Sequence, residues 1–333
     1  MSCRHDFPLL VVWRVYVYQK ALNVLERRRS NAEFELQQRT DEAMRKIPEL
    51  AEIQRELART GLSVSTLLFR GENVRGEIDK LKEKSLALQK RKKELLVKAG
   101  FDEDALTIKY VCPVCSDTGF TQNRMCACHK ELLKEIERDS IRQNAPIDDC
   151  TFDTFRVEYY PDTVGSNGIS PREKAAKILE SCRMYAQTFT PQSPNLMFMG
   201  GTGLGKTHLS LAIANVALNK GYSVIYGTSQ NIFSDLQDEN FGRTDNIYYN
   251  EHDILNTDLL IIDDLGTEFR SQFSEACLYN IVNTRILKKK ATIISTNFSF
   301  EDLERDYNQR VTSRLAGEYS VLTLEGNDIR YIK

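Results

Sequence analysis

The chain has 333 residues, with 45 Lys and Arg against 47 Asp and Glu and a formal net charge of −2, so it carries no bulk charge of the kind that marks a nucleic-acid or membrane-surface protein. Any contact with nucleic acid must come from a local patch. No stretch approaches the roughly 20 apolar residues of a membrane span, and the length suits two or three domains.

Residues 8–13, PLLVVW, form a short apolar run. It lacks a basic leader and a small-residue cleavage site, so it does not read as a signal peptide. Two readings stay open: a packed N-terminal segment, or an extension upstream of a start near Val15 or Val17. Residues 18–100 are rich in Glu, Lys, Arg, Gln, Leu and Ala, with Pro48 as the only proline. Ala43, Ile47, Leu50 and Leu57 step by helical intervals, as do Ile78, Leu81, Leu88 and Leu95. Gly61, Gly71 and Gly76 lie between the two stripes. The simplest expectation is two long helices folded as a hairpin, with Pro48 at a kink or helix start. Residues 1–108 are therefore expected to be a helical or coiled-coil region. Stripes of this length either serve structure alone or offer a partner surface.

Residues 109–132 hold four of the eight cysteines. Cys112 and Cys115 have metal-knuckle spacing, followed ten residues later by Cys126, Cys128 and His129. Zinc in a structural role takes four N or S ligands in a closed tetrahedron. The expected ligands are Cys112, Cys115, Cys126 and Cys128, with His129 as the alternative. Bound zinc would supply folding energy to a segment too poor in apolar residues to build a core. Cys3, Cys150, Cys182 and Cys277 are scattered, as reduced thiols of a cytoplasmic protein would be.

Residues 133–170 are expected to be a linker, most clearly from Phe152 to Gly168, which is rich in Asp, Tyr, Thr and Gly. Ser170 then caps a helix with Pro171 in its first turn. From residue 171 to 333, apolar strand-like runs alternate with helical patterns, which predicts an α/β domain on a mostly parallel sheet.

The strongest signal is Gly200, Gly201, Thr202, Gly203, Leu204, Gly205, Lys206 and Thr207, a phosphate-binding loop at every fixed position. A strand, LMFM, precedes it and a helix beginning near His208 follows. Glycines let backbone N–H groups converge on phosphates, and the helix N-terminus adds its dipole. Lys206 is expected to reach the β- and γ-phosphates of ATP and Thr207 to ligate Mg²⁺. The run LLIIDD ends a buried strand in two carboxylates. Asp263 is the expected Mg²⁺ holder and Asp264 the carboxylate that polarises the attacking water. Many such ATPases have Glu there, and the shorter Asp suggests slower hydrolysis. A third strand, TIIST, ends at Asn297, whose amide can orient that water or sense the γ-phosphate.

With these residues in view, the chain from about 195 to 330 resembles the AAA+ ATPases of the replicative helicase loader group, the DnaC/DnaI-type proteins, with the transposition helper IstB as a cousin. GGTGLGKTHLSLAIAN, LLIIDDLGTE, IISTNFS and RVTSRL carry the resemblance. The resemblance implies an AAA+ P-loop core without a C-terminal helical lid. It implies that Arg314, with Arg310 one turn before it, supplies an arginine finger to a neighbouring subunit, and that Arg330 is a second nucleotide-sensing arginine. It implies single-stranded DNA contacts at Ser271 and Phe273, where an aromatic ring can stack on a base and Arg270 can meet a phosphate. The competing reading makes Phe269 and Phe273, four apart on a helix, core residues. Lys288, Lys289 and Lys290 are a further candidate phosphate contact or a solvated loop.

The resemblance also implies the function: a loader that binds the replicative hexameric DnaB-type helicase through its N-terminal region and deposits it on single-stranded DNA. ATP would assemble loaders side by side, and hydrolysis would release them. Two alternatives stand beside it. One is an IstB-like transposition helper, whose partners would be a transposase and duplex DNA. The other is a structural coiled-coil ATPase scaffold, disfavoured because the phosphate and acidic motifs both follow the helices.

Overall fold

The structure is a computed structural model that describes residues 12–70, 75–164, 168–243 and 248–331. The sequence features at residues 8–11, Cys3 and Gly71 lie outside the described residues. The chain divides into two units: Leu22–His129, and the chain up to Ala21 together with the chain from Lys130 onward.

Three helices, α1 (Val12–Lys46), α2 (Glu49–Arg70) and α3 (Arg75–Lys98), replace the two expected. Pro48 causes the difference. It has no N–H to donate, and it drives the preceding Ile47 out of the helical region, so α1 stops and α2 restarts. Glu49 and Glu52 then sit in the first turn of α2, where acidic side chains suit the helix dipole. The stripe Ala43, Ile47, Leu50 and Leu57 thus crosses a break. Ala43, Ile47 and Leu50 are buried with Leu96 in one cluster. The hairpin is α2 with α3: Glu49 meets Arg91 at 3.1 Å and Glu56 meets Lys84 at 3.2 Å, an antiparallel register. Both pairs are half exposed and contribute little to stability, so the apolar cluster sets the packing. Gly61 and Gly76 lie inside α2 and α3 and interrupt neither.

In the second unit, five parallel strands are ordered β4 (Val224–Thr228), β5 (Leu259–Leu265), β6 (Ala291–Thr296), β3 (Asn195–Met199) and β7 (Tyr319–Thr323). Strand residues alternate between two cores. Phe198, Ile261 and Ile293 face one, with α5 (Pro171–Thr188) and α6 (Lys206–Asn219). Met197, Ile262 and Ile294 face the other, with α7 (Ser229–Asn240), α9 (Gln272–Leu287) and α11 (Gln309–Glu318). Burial on both faces is why these strands read as unbroken apolar runs. Strand β6 is inserted between β3 and β5, so the phosphate loop, the Asp263–Asp264 pair and Asn297 all emerge at the carboxyl ends of adjacent strands.

Ser170 accepts a hydrogen bond from the Glu173 N–H at 3.2 Å with Pro171 as the first helical residue, as expected. The stretch 133–170 corrects the linker expectation. Its first part is α4 (Ala127–Arg142), and the rest packs into the core beneath the sheet through Ile147, Phe152, Phe155 and Tyr160. Asn215 of α6 donates to the carbonyls of Ile147 and Cys150 at 2.7 and 2.9 Å and anchors it. Apolar residues scattered singly among Asp and Thr bury well but make no periodic pattern, so composition alone misleads here.

Candidate nucleotide site and thiol cluster

The loop between β3 and α6 turns on residues with positive φ, +138° at Gly200, +71° at Gly203 and +79° at Gly205. A Cβ at Gly200 would collide with the Leu324 carbonyl, so that position requires glycine twice over, while Gly203 requires it for its φ, with only the movable Asp328 carboxylate in the way. The loop edges a cleft of ≈ 670 Å³ lined by Thr202, Gly203, Leu204, Gly205, Lys206, Thr207 and His208, and also by Asp264, Asn297 and Arg330. That volume is in the range of small-molecule and cofactor sites. Pro146, Cys150, Phe155, Arg156 and Tyr159, from the stretch expected to be a linker, also line it. Tyr160 donates to the Leu204 carbonyl at 2.6 Å, and His208 Nε2 lies 2.7 Å from the Thr151 carbonyl, so that stretch is tied to the phosphate loop at two points.

Lys206 Nζ donates to the carbonyls of Gly200 and Gly201 at 2.9 and 2.7 Å and to Asn297 Oδ1 at 2.7 Å. Burial lowers its pKa, against the charges of Asp264 and Asp263. Thr207 Oγ1 donates to Asp263 Oδ2 at 2.8 Å, so the two expected Mg²⁺ holders already meet. Asp263 is otherwise held by residues the sequence reading missed. Tyr226 of β4 donates to Oδ2 at 2.8 Å, and the Ser295 hydroxyl of β6 donates to Oδ1. Burial first, then the Asp263 charge, raises the Tyr226 phenol, which keeps it a donor. A polar tip on each otherwise apolar strand was the available signal.

Asp264 stands in the left-handed region at φ +54°, where Asp is tolerated better than most residues. Its N–H donates to Ser295 Oγ at 2.9 Å, and its carbonyl accepts from Thr267 Oγ1 at 2.8 Å. These bonds over-determine a backbone shape that is costly by itself. Its carboxyl pKa is raised, by burial first and by Asp263 next. Arg330 is exposed and lies against Asp328, Nε to Oδ1 at 2.9 Å.

Arg314 and Arg310 are not in this cleft. Both ride on α11, whose Val311 and Leu315 are fully buried, leaving Arg310 exposed and Arg314 half exposed. The residues implied to touch DNA divide. The Ser271 hydroxyl accepts from the Ser274 N–H at 3.0 Å and caps α9, and Phe273 packs against the core. Arg270 pairs with the buried Asp306 at 2.6 Å and lies over the Phe298 ring. Phe269 precedes the helix and is 90% exposed, so it is not the core residue the helical spacing suggested. Lys290 pairs with Asp258 at 2.9 Å and Lys288 donates to Asn256 at 2.9 Å, which makes that run a paired helix end.

In the unit of residues 22–129, the four sulphurs of Cys112, Cys115, Cys126 and Cys128 lie within 4.8 Å of one another. Cys112 and Cys126 are 3.8 Å apart, and Cys115 and Cys128 are 3.4 Å apart. Tetrahedral zinc with bonds of about 2.3 Å places its sulphurs ~3.8 Å apart, so the group fits the ion. Asp117, fully buried, accepts from the Val111 and Cys112 N–H groups at 2.8 and 2.9 Å and fixes the first knuckle. A two-residue hairpin, β1 (Phe120–Thr121) and β2 (Arg124–Met125), delivers the second pair through positive φ at Gln122 and Asn123. A backbone hydrogen bond from Cys115 is the main cause that lowers the Cys112 thiol to about 7, while burial raises the Cys128 thiol of the same group. His129 is buried edge-on to Phe120 and outside the sulphur group.

A parallel sheet with one strand between the phosphate-loop strand and the acidic strand, and this cleft at its carboxyl edge, define an AAA+ P-loop ATP-binding protein. The family of IstB-like ATP binding proteins matches residues 171–330. The replicative helicase loader DnaC of Escherichia coli K12 is 30% identical over 188 residues, 56% of this chain and 69% of that one. The DnaC of Buchnera aphidicola from Acyrthosiphon pisum is 28% identical over 188 residues, 55% of this chain and 71% of that one. Among solved structures, a DnaC helicase loader superposes with a TM-score of 0.45 at 24% identity, over 54% of this chain and 98% of that one. DnaA of Aquifex aeolicus gives 0.43 at 23% identity, over 56% and 52%. The chain belongs to the family of DnaC-type replicative helicase loaders.

Proposed function

We propose that this chain is an ATP-hydrolysing loader that engages a replicative hexameric DnaB-type helicase and deposits it on single-stranded DNA, with hydrolysis driving release. The meeting of Lys206, Thr207, Asp263, Asp264 and Asn297 at one sheet edge, in a chain of the loader family, carries this reading. ATP with Mg²⁺ supplies the scissile phosphoryl bond and the cation that offsets its charge. The glycine-rich loop and the N-terminus of α6 bind the phosphates, and Lys206 turns its ammonium to them. Thr207 and Asp263 hold the metal, with Tyr226 and Ser295 fixing the carboxylate. Asp264 accepts the proton of the attacking water, and Asn297 orients that water. Arg314 serves the site of an adjacent copy, and Arg330 the site of its own chain. Phe155 and Tyr159 give the cleft an aromatic wall for the base.

Zn²⁺ held by Cys112, Cys115, Cys126 and Cys128 stabilises the N-terminal unit. Between α2 and α3 runs a groove of ≈ 400 Å³ edged by Leu57, Val64, Ile78, Leu81 and Leu86, a surface for a partner helix. Phe269, more than Ser271 or Phe273, is the side chain available to stack on a DNA base.

The test is capture of the host replicative helicase by the full-length, zinc-loaded protein with ATP and Mg²⁺. The reading predicts a complex near one chain per helicase subunit that Leu81→Glu abolishes. No complex with the wild-type chain would sink it and favour the transposition helper, a reading the IstB-like match over residues 171–330 keeps in view.

A further inference from the structure

Asp306, Tyr307 and Asn308 form the corner between α10 (Phe300–Asp306) and α11, the helix that carries Arg314. Each of the three is bound to the segment that follows Asp264. The Tyr307 hydroxyl donates to Glu268 Oε1, Arg270 pairs with Asp306 Oδ2 at 2.6 Å, and Asn308 Nδ2 donates to Glu275. Glu268 is buried, and its other oxygen accepts from the Gly266 N–H at 2.9 Å and from the Ser229 hydroxyl at 2.6 Å. The same Ser229 hydroxyl lies 3.1 Å from the Asp264 carbonyl. One carboxylate therefore closes the turn that holds Asp264 and seats the corner from which α11 starts. The Asn308 side chain caps α11 by accepting from the Val311 N–H at 3.0 Å. Helix and corner must then shift together, because a capped helix packed on fully buried Val311 and Leu315 has no slack between them.

We propose that Glu268, through Tyr307, is a positioning residue that couples the Asp264 turn of one chain to the placement of the Arg314 this chain presents to its neighbour. The inference rests on the reading of Arg314 as a finger. ATP seen at Asp264 in one site would thereby set how well that chain assists the next. The Arg270–Asp306 and Asn308–Glu275 bonds are the parallel ties that keep the corner a single rigid piece.

The test mixes two full-length variants. Lys206→Ala chains keep Arg314 but cannot hydrolyse; Arg314→Ala chains keep an intact phosphate loop but lack the finger, so each is deficient alone. Mixing should restore ATPase activity above either alone. Tyr307→Phe is then placed in one partner or the other, with Glu268→Gln as the conservative variant, which keeps an acceptor for Ser229 and Gly266 and a polar partner for Tyr307. Tyr307→Phe in the finger-donating Lys206→Ala chain is expected to lower the activity of the mixture about tenfold or more. Unchanged activity there, with loss only when Tyr307→Phe sits in the Arg314→Ala chain, would overturn the coupling and leave a purely local role. If mixing restores nothing, the finger reading itself fails, and amide hydrogen exchange over residues 309–318 decides the coupling on single chains. A non-hydrolysable ATP analogue should slow exchange there in wild type and in Glu268→Gln but not in Tyr307→Phe. Equal slowing in Tyr307→Phe, with its thermal unfolding unchanged, would overturn the proposal.

Discussion

Asp264 bears two burdens, a left-handed backbone and a buried carboxyl beside Asp263. Its pKa is raised in the fold, so the ionised form is disfavoured there. The penalty is absent below the ordinary carboxylate range, grows as pH rises through that range toward the raised value, and is constant above it. Asp264→Asn should therefore be more stable than wild type at neutral pH, with the gap closing on acidification, as thermal melts across pH would record. The same variant should bind ATP and lose hydrolysis by about 100-fold or more, since the proton acceptor is gone. Tyr226 offers a separate check. Tyr226→Phe leaves one Asp263 oxygen short of a donor, so the Mg²⁺ concentration for half-maximal nucleotide binding should rise several-fold while the fold persists.

Elements, more than single residues, separate what the chain advertises from what it conceals. The phosphate loop, the acidic strand and the capped start of α5 are contiguous in sequence, and the structure has them where the pattern put them. Contacts between distant segments leave no such trace. Tyr226 meets Asp263 across 37 positions and Tyr307 meets Glu268 across 39, so neither showed in a linear pattern. Stripes are visible in the helical region, and Pro48 stands at a helix start, one of its two expected places, but a stripe that continues across the break hides the third helix. Arg285 of α9 is a further concealed feature. It is fully buried and donates to the carbonyls of Ile254 and Ala291 at 2.6 Å each, to the Thr257 carbonyl at 3.1 Å and to Thr292 Oγ1 at 2.9 Å. One guanidinium thus holds α8 (Glu251–Asn256), α9 and β6 together. Arg285→Ala would leave those acceptors dry and a cavity besides, and should lower stability by about 3–5 kcal/mol in denaturant melts.

At the scale of the whole molecule, the zinc-type cluster belongs to one unit and the nucleotide cleft to the other. Their stabilities should respond to different ligands. Stripping metal with a strong chelator should release about one zinc per chain and melt residues 110–129, seen as faster amide exchange there. Nucleotide binding at Lys206 should persist, because the cleft is built from the other unit. Retained protection of residues 110–129 after complete metal removal would show that the thiols pack without the ion.

The loader account is tested most directly by helicase deposition. The measurement is unwinding by the host replicative helicase on circular single-stranded DNA coated with its binding protein, with this chain added or withheld. The account predicts that unwinding appears only with the chain and ATP. Lys206→Ala should fail to support it, and Phe269→Ala should support it poorly. Equal unwinding with and without the wild-type chain would contradict the account.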